Sequence, residues 1–346
     1  MIAAMTELSN TPATGPFDLI CGCPRSGTTL LATELMRRYD LAIPFETHFI
    51  PVFHRWLFLY GDLGRPGNRR RLLDDIYLFT RLWIRSSKTF EAAALARASI
   101  LITEPAAPDI VARASDYAGL VRALFAEFAA RNASARFADK STFRAPVPPA
   151  ALQRALGPIR ILYLVRDGRD VFLSWKQTWF GAANAANAAC LWRRHVEGMR
   201  AWAATPGAQV HVLRYEDLVR DPDGELSAAG AFLGLAPRAA PAPAVLADGM
   251  ATAPEHARLR QAPDLANAGK HLAALPARQR AVFEHVAGDA LRRNGYEVSG
   301  PRAGWPAIAG TFLAAPFDRP DRSIGRAMKS ALPLILSLGG RRLLGP

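Results

Sequence analysis

The chain has 346 residues, is 50% hydrophobic and carries a formal charge of +13. This composition excludes a mostly disordered chain, and the length suffices for one large α/β domain or two modest ones. The basic excess favours anionic partners such as nucleotides or a membrane surface; nucleic acid is set aside, because no stretch reads as a recognition helix or an aromatic-and-basic RNA-binding strand.

Cys21, Cys23 and Cys190 make no disulfide framework and point to a reducing compartment. The seven histidines show no metal-ligand spacing, so no metal is expected. The N-terminus lacks the basic-then-apolar order of a secretory signal, and no apolar run reaches bilayer length. A cytoplasmic protein is expected.

In chain order, residues 1–16 read as a flexible lead. A strand is expected over roughly Phe17 to Cys21, then a glycine loop, then a helix to about Tyr39. Residues 52–135 change to helical spacing, broken at Pro66 and Gly67, and read as a helical insertion forming a lid or substrate wall. "RFADK" (136–140) is a short strand candidate and "PIRILYLVR" (158–166) a stronger one, continued by a helix through "VFLSWKQTW". "AQVHVLRYEDL" (208–218) alternates as a strand should, and a helix follows from near Pro222 to Leu233. "PARQRAVFEHVAGDALRRNGY" (276–296) is an amphipathic helix with Pro276 at its start and Gly295 as its stop. Residues 301–346 carry seven Arg or Lys against two Asp. They form a basic amphipathic extension that either packs on the domain or lies on anionic lipid. Strands separated by helices imply an α/β fold with a central parallel sheet.

The loop "CGCPRSGTTLL" (21–31) joins the first strand to a helix N-terminus, where backbone N–H groups and the helix dipole favour an anion. Gly22 and Gly27 let the backbone approach that anion, and Ser26, Thr28 and Thr29 add hydroxyl donors. Nucleoside triphosphatases carry a lysine after the second glycine, but here that position is Thr28 and an arginine, Arg25, lies inside the loop. A guanidinium fork holds phosphate or sulfate through two bonds. "LVRDGRDVFLSW" (164–175) supplies a second anion site at the end of the strongest strand, from Arg166 and, eight positions later, Ser174. The bland reading of this stretch is a surface ladder of Arg166–Asp167 and Arg169–Asp170 pairs. Two anion sites on neighbouring strands suggest a nucleotide with phosphates at both ends of its ribose.

Together these two motifs resemble the paired signature of the sulfotransferases that use 3′-phosphoadenosine 5′-phosphosulfate (PAPS), over roughly residues 17–296. The resemblance implies a three-layer P-loop-type domain over 17–300, with PAPS as co-substrate and 3′,5′-ADP as product. It assigns Arg25, Ser26, Gly27, Thr28 and Thr29 to the 5′-phosphosulfate, and Arg166 and Ser174 to the 3′-phosphate. Further segments are similar to the tyrosylprotein and bacterial branch. "FETHFIP" (45–51) looks like the segment carrying the base, here Glu46, with His48 as a rival. "ADKSTF" (138–143) looks like the source of the lysine near the sulfuryl group, here Lys140. "RYEDL" (214–218) places Tyr215 by the adenine, and "NAGKHLAAL" (267–275) looks like the late loop closing on the nucleotide through Lys270. That branch carries a hydroxyl residue where this chain has Gly269, and an arginine where it has Thr178.

The implied chemistry is in-line sulfuryl transfer without a metal, to a hydroxyl or amine. Glu46 is the general base, its pKa expected to be raised by partial burial, and Lys140 and Arg25 neutralise developing charge. Lys140 beside Asp139 could instead be a plain ion pair. Trp56, Phe58, Tyr60, Tyr77, Phe79 and Trp83 suit an aromatic acceptor wall or a hydrophobic core. The acceptor stays open among small molecules, carbohydrates, lipids and peptides, as does a homodimer. The competing readings are a magnesium-dependent P-loop kinase or triphosphatase, and an inactive nucleotide-binding module at a membrane surface.

Overall fold

The computed structural model describes residues 15–85, 107–141, 149–178, 181–240, 265–298, 304 and 309–311. The expected lead and the basic extension lie almost wholly outside the described residues.

The described strands are β1 (Phe17–Gly22), β2 (Leu41–Ala42), β3 (Arg136–Phe137), β4 (Asp139–Lys140), β5 (Ile159–Val165) and β6 (Gln209–Arg214). Four form a parallel sheet in the order β4-β1-β5-β6, and β2 pairs with β3 separately. "RFADK" is therefore not one strand. Ala138 is the switch, its N–H donating to the Ala42 carbonyl at 3.2 Å before the chain crosses to β1. This switch puts Asp139 and Lys140 beside the glycine loop.

Helices around the sheet include α1 (Thr28–Arg38), α2 (Pro66–Arg85), α3 (Tyr117–Arg131), α4 (Gly168–Lys176), α5 (Ala185–Ala203), α6 (Tyr215–Arg220), α7 (Pro222–Leu233) and α8 (Ala277–Arg293). They cover both faces of the sheet, because strand side chains alternate. Leu19, Cys21, Ile161, Tyr163 and Val165 pack into a core with Phe125, Phe172 and Trp192. Ile20, Leu162, Leu164 and Leu213 pack into a second core with Leu31, Leu35, Leu226 and Leu233. The result is the expected layered α/β fold with a central parallel sheet.

Three local expectations change. Pro66 does not break a helix but begins α2, where its missing N–H costs nothing and its fixed φ fits. The strand expected through Leu218 ends at Arg214; Glu216 and Asp217 then occupy the first turn of α6, where carboxylates complement the helix dipole. Of the aromatics offered as an acceptor wall, Tyr60, Tyr77 and Phe79 are buried in the same core as Phe17 and Phe125. Trp56 is half-buried and Phe58 is exposed, their rings 6.0 Å apart; the Trp83 side chain lies outside what is described. Among the described residues no helix is long and apolar enough to cross a membrane.

Candidate active site at the carboxyl ends of the strands

The glycine loop is packed too tightly for any other residue at its two glycines. A Cβ on Gly22 would stand 2.7 Å from Thr28 Cγ2 and 2.8 Å from the Leu164 carbonyl oxygen. Gly27 has φ 100°, and a Cβ there would meet the Tyr215 ring at 2.7 Å. Arg25 adopts φ 75°, a left-handed conformation that costs a non-glycine residue roughly 1–2 kcal/mol. That turn aims its side chain across the sheet, where Nε donates to Ser174 Oγ at 3.1 Å. Helix α1 starts at Thr28 without a side-chain cap, so its first N–H groups are open to an anion. Ser26 is fully buried, yet its Oγ has no hydrogen-bond partner among the described residues.

Arg166 leaves β5 beside this loop. Its Nη1 donates to the Arg25 carbonyl at 3.3 Å and its Nη2 to the Asn267 carbonyl at 2.6 Å, while the guanidinium lies 4.2 Å from the Tyr215 ring centroid. Its Nε is buried and unpartnered. Tyr215 is itself buried, wedged between Arg166 and Gly27. Lys270 is half-buried at the head of the short helix His271–Ala274. The segment carrying it is fastened by Asp170, which accepts from the Gly269 N–H at 2.8 Å and the His271 N–H at 2.8 Å, and lies 2.9 Å from His271 Nδ1. Burial pushes the Asp170 carboxyl up, but the His271 bonds and the Arg166 charge outweigh it and hold the group below its ordinary range.

The charged string after Arg166 is not a surface ladder. Arg169 is buried and forks Asp167 at 3.0 and 2.7 Å, then reaches Glu284 at 2.5 Å. Asp170 faces the late loop instead.

The third cluster surrounds Glu46. Lys140, with a fully buried side chain, donates to Glu46 Oε1 at 3.0 Å and to Thr29 Oγ1 at 3.1 Å, and lies 4.6 Å from the Phe45 ring centroid. His48 Nε2 lies 2.9 Å from Glu46 Oε2. Burial pushes the Glu46 carboxyl up, but Lys140 and His48 together hold it well below the ordinary glutamate range. The raised pKa expected for Glu46 is thus not found; the partial burial is present, and the lysine overrides it. Nor is Lys140 a plain ion pair with Asp139. That carboxylate accepts from Thr47 Oγ1 at 3.0 Å and Ser141 Oγ at 2.8 Å, and burial pushes it up to about 6 against those two bonds.

The structure therefore gathers Arg25, Ser26, Ser174, Arg166 and Tyr215 at one side of the loop, and Thr29, Lys140, Glu46 and His48 at the other. Lys270 follows on the segment that Arg166 touches through Asn267. Sequence reasoning missed Asp139, Asp170 and the Asn267 carbonyl. Asp170 had a usable signal: it stands four residues before Ser174, on the same helix face. A carbonyl contact has none.

The layered fold with its four-stranded parallel sheet agrees with the comparisons. The model described as "Sulfotransferase family" matches residues 19–238, and the chain belongs to that family. Two solved structures share the fold. The sulfotransferase domain from the Synechococcus PCC 7002 olefin synthase aligns at a TM-score of 0.52 with 21% identity, over 82% of this chain and 96% of that one. The sulfotransferase domain from the curacin biosynthetic pathway aligns at 0.50 with 20% identity, over 82% and 99%. Among curated proteins none matches this chain.

Proposed function

We propose that this chain is a PAPS-dependent sulfotransferase acting on a hydroxyl or amine acceptor. One observation carries the reading. At the ends of two adjacent parallel strands, two buried donors, Ser26 Oγ and Arg166 Nε, lack partners among the described residues. A buried donor left unpaired costs about 1–3 kcal/mol, a cost that a bound anion removes. The donor nucleotide fits both places. Ser26, Arg25, Thr28, Thr29 and the α1 amides hold its 5′-phosphosulfate, and Arg166 with Ser174 holds its 3′-phosphate. Tyr215 and Lys270 flank the base and the phosphate.

The donor supplies a sulfuryl group: an S–O bond to a hydroxyl acceptor, or an S–N bond to an amine, forms as the S–O bond to the 5′-phosphate breaks. Glu46 takes the proton of the acceptor at a carboxylate oxygen. Its low pKa makes it ionised at neutral pH and therefore able to accept. Lys140 spans Thr29 and Glu46, so it can move toward the departing 5′-phosphate oxygen, and release of Glu46 from that ion pair raises its basicity. Arg25, Lys140 and the loop amides supply the positive charge this transfer needs, and no divalent ion is invoked.

Calorimetry tests the reading. Purified protein binds 3′,5′-ADP without magnesium, and Arg166→Ala weakens that binding roughly 10- to 100-fold, the loss expected for a charge-assisted contact. Preference for ATP with magnesium, or an unchanged dissociation constant in the variant, overturns it.

A further inference from the structure

The base and the lysine sit on different segments, residues 45–48 and 139–141, and one buried carboxylate fastens the two together. Asp139 is fully buried at the end of β4. Its Oδ1 accepts from Thr47 Oγ1 at 3.0 Å and its Oδ2 from Ser141 Oγ at 2.8 Å. The strand end is itself held by the Ser141 N–H donating to the Ile20 carbonyl at 3.2 Å. Thr47 is buried too and stands between Glu46 and His48. His48 has φ 52°, so the backbone just after Thr47 is held in the left-handed region, a conformation that persists only where its surroundings enforce it. This turn returns His48 Nε2 to within 2.9 Å of Glu46 Oε2.

We infer that Asp139 is a positioning residue: through the Thr47 hydroxyl it fixes the turn that sets Glu46 against Lys140 and His48. The inference rests on the proposed role of Glu46 for its functional meaning. Its structural content stands apart from that role, because the geometry of the Glu46 carboxyl has its own signature. A carboxyl gripped by Lys140 and His48 stays ionised far into acid, whereas one on a loosened turn returns toward the ordinary glutamate range. Asn can keep both hydroxyl contacts by accepting one and donating to the other, and Ala keeps neither.

The test is an NMR titration of glutamate carboxyl carbons in the full chain, with Glu46 assigned through Glu46→Gln. In the wild type the Glu46 signal stays ionised to the lowest pH at which the fold survives. In Asp139→Ala and in Thr47→Val its midpoint rises by about one unit or more, and Asp139→Asn restores most of the wild-type behaviour. Affinity for 3′,5′-ADP stays within threefold in all three. In donor turnover with PAPS, kcat falls about tenfold or more in the Ala and Val variants while the donor KM is kept. An unmoved Glu46 midpoint in Thr47→Val overturns the inference, and that variant decides the matter if Asp139→Ala fails to fold. If the midpoint moves but Glu46→Gln turns over at the wild-type rate, the positioning stands and the base assignment falls.

Discussion

The two ends of the central sheet each carry a buried charged cluster, and they are built differently. At the amino ends, Asp18 on β1 is gripped by Arg160 on β5 through two bonds, at 2.8 and 3.0 Å, and by Arg136 on β3 at 3.1 Å. Arg160 Nη1 also reaches the Phe232 carbonyl, and Arg136 reaches the Leu233 and Gly234 carbonyls through Nη2 and Nη1. Among the described residues, no buried side-chain donor or acceptor of that network is left unpaired. At the carboxyl ends, Arg25, Arg166 and Lys140 are also held, yet Ser26 Oγ and Arg166 Nε stay unpaired and Arg25 and His48 adopt left-handed backbone. The same strands thus end in a satisfied cluster on one side and an unsatisfied, strained one on the other. Unsatisfied donors beside a helix N-terminus mark the end where a ligand belongs.

The largest expected effect falls at the open end. Glu46→Gln keeps the shape of the side chain and removes the proposed base, so transfer from labelled PAPS drops about 10²- to 10⁴-fold, the range for a positioned acid–base group. Affinity for 3′,5′-ADP, measured by calorimetry, stays within about threefold, since Glu46 bonds Lys140 and His48 rather than the proposed 3′-phosphate ligand Arg166, whose hydrogen bonds go to Arg25 and Asn267. Full turnover in this variant moves the role to His48.

At the closed end the expected loss is in stability. Asp18→Ala leaves two guanidinium groups without their carboxylate, one of them mostly buried, and costs about 3 kcal/mol in urea unfolding. Turnover per folded molecule is unchanged. If Asp18→Ala instead lowered turnover at full stability, the distinction between the two ends would fail.

Much of the open end was legible in the chain because its chemistry is local. Gly22, Arg25, Ser26 and Gly27 lie in one loop, and Arg166 and Ser174 in one strand–helix turn, so spacing alone brought each set together. The strand and helix boundaries around them held for the same reason: the apolar run in "RILYLV", and Pro222 at the start of α7. What failed depended on contacts between distant segments. Asp139 and Asp170 look like surface partners of their neighbours in the chain, yet they bind Thr47, 92 residues away, and His271, 101 residues away. The pKa of Glu46 went wrong because hydrophobic neighbours are visible in "FETHFI" while Lys140 is not. The aromatics of the insertion could not be divided between core and surface by type; only packing separates the buried Tyr60 and Phe79 from the exposed Phe58.

The smallest effect is the sharpest discriminator between the two ends. Ser26→Ala deletes a buried hydroxyl that has no partner in the fold, so the unliganded protein loses nothing and gains up to about 1 kcal/mol, because a desolvated polar group is removed. On the proposed assignment, the same change takes one hydrogen bond from the 5′-phosphosulfate, weakening 3′,5′-ADP binding by about 1 kcal/mol, or roughly fivefold. Thermal unfolding with and without 3′,5′-ADP reads both at once: an equal or higher Tm for the free variant and a smaller ligand-induced rise. A variant destabilised without ligand and undiminished in its ligand-induced rise would mean that Ser26 serves the fold as Asp18 does, and the open end would lose the feature that most plainly sets it apart.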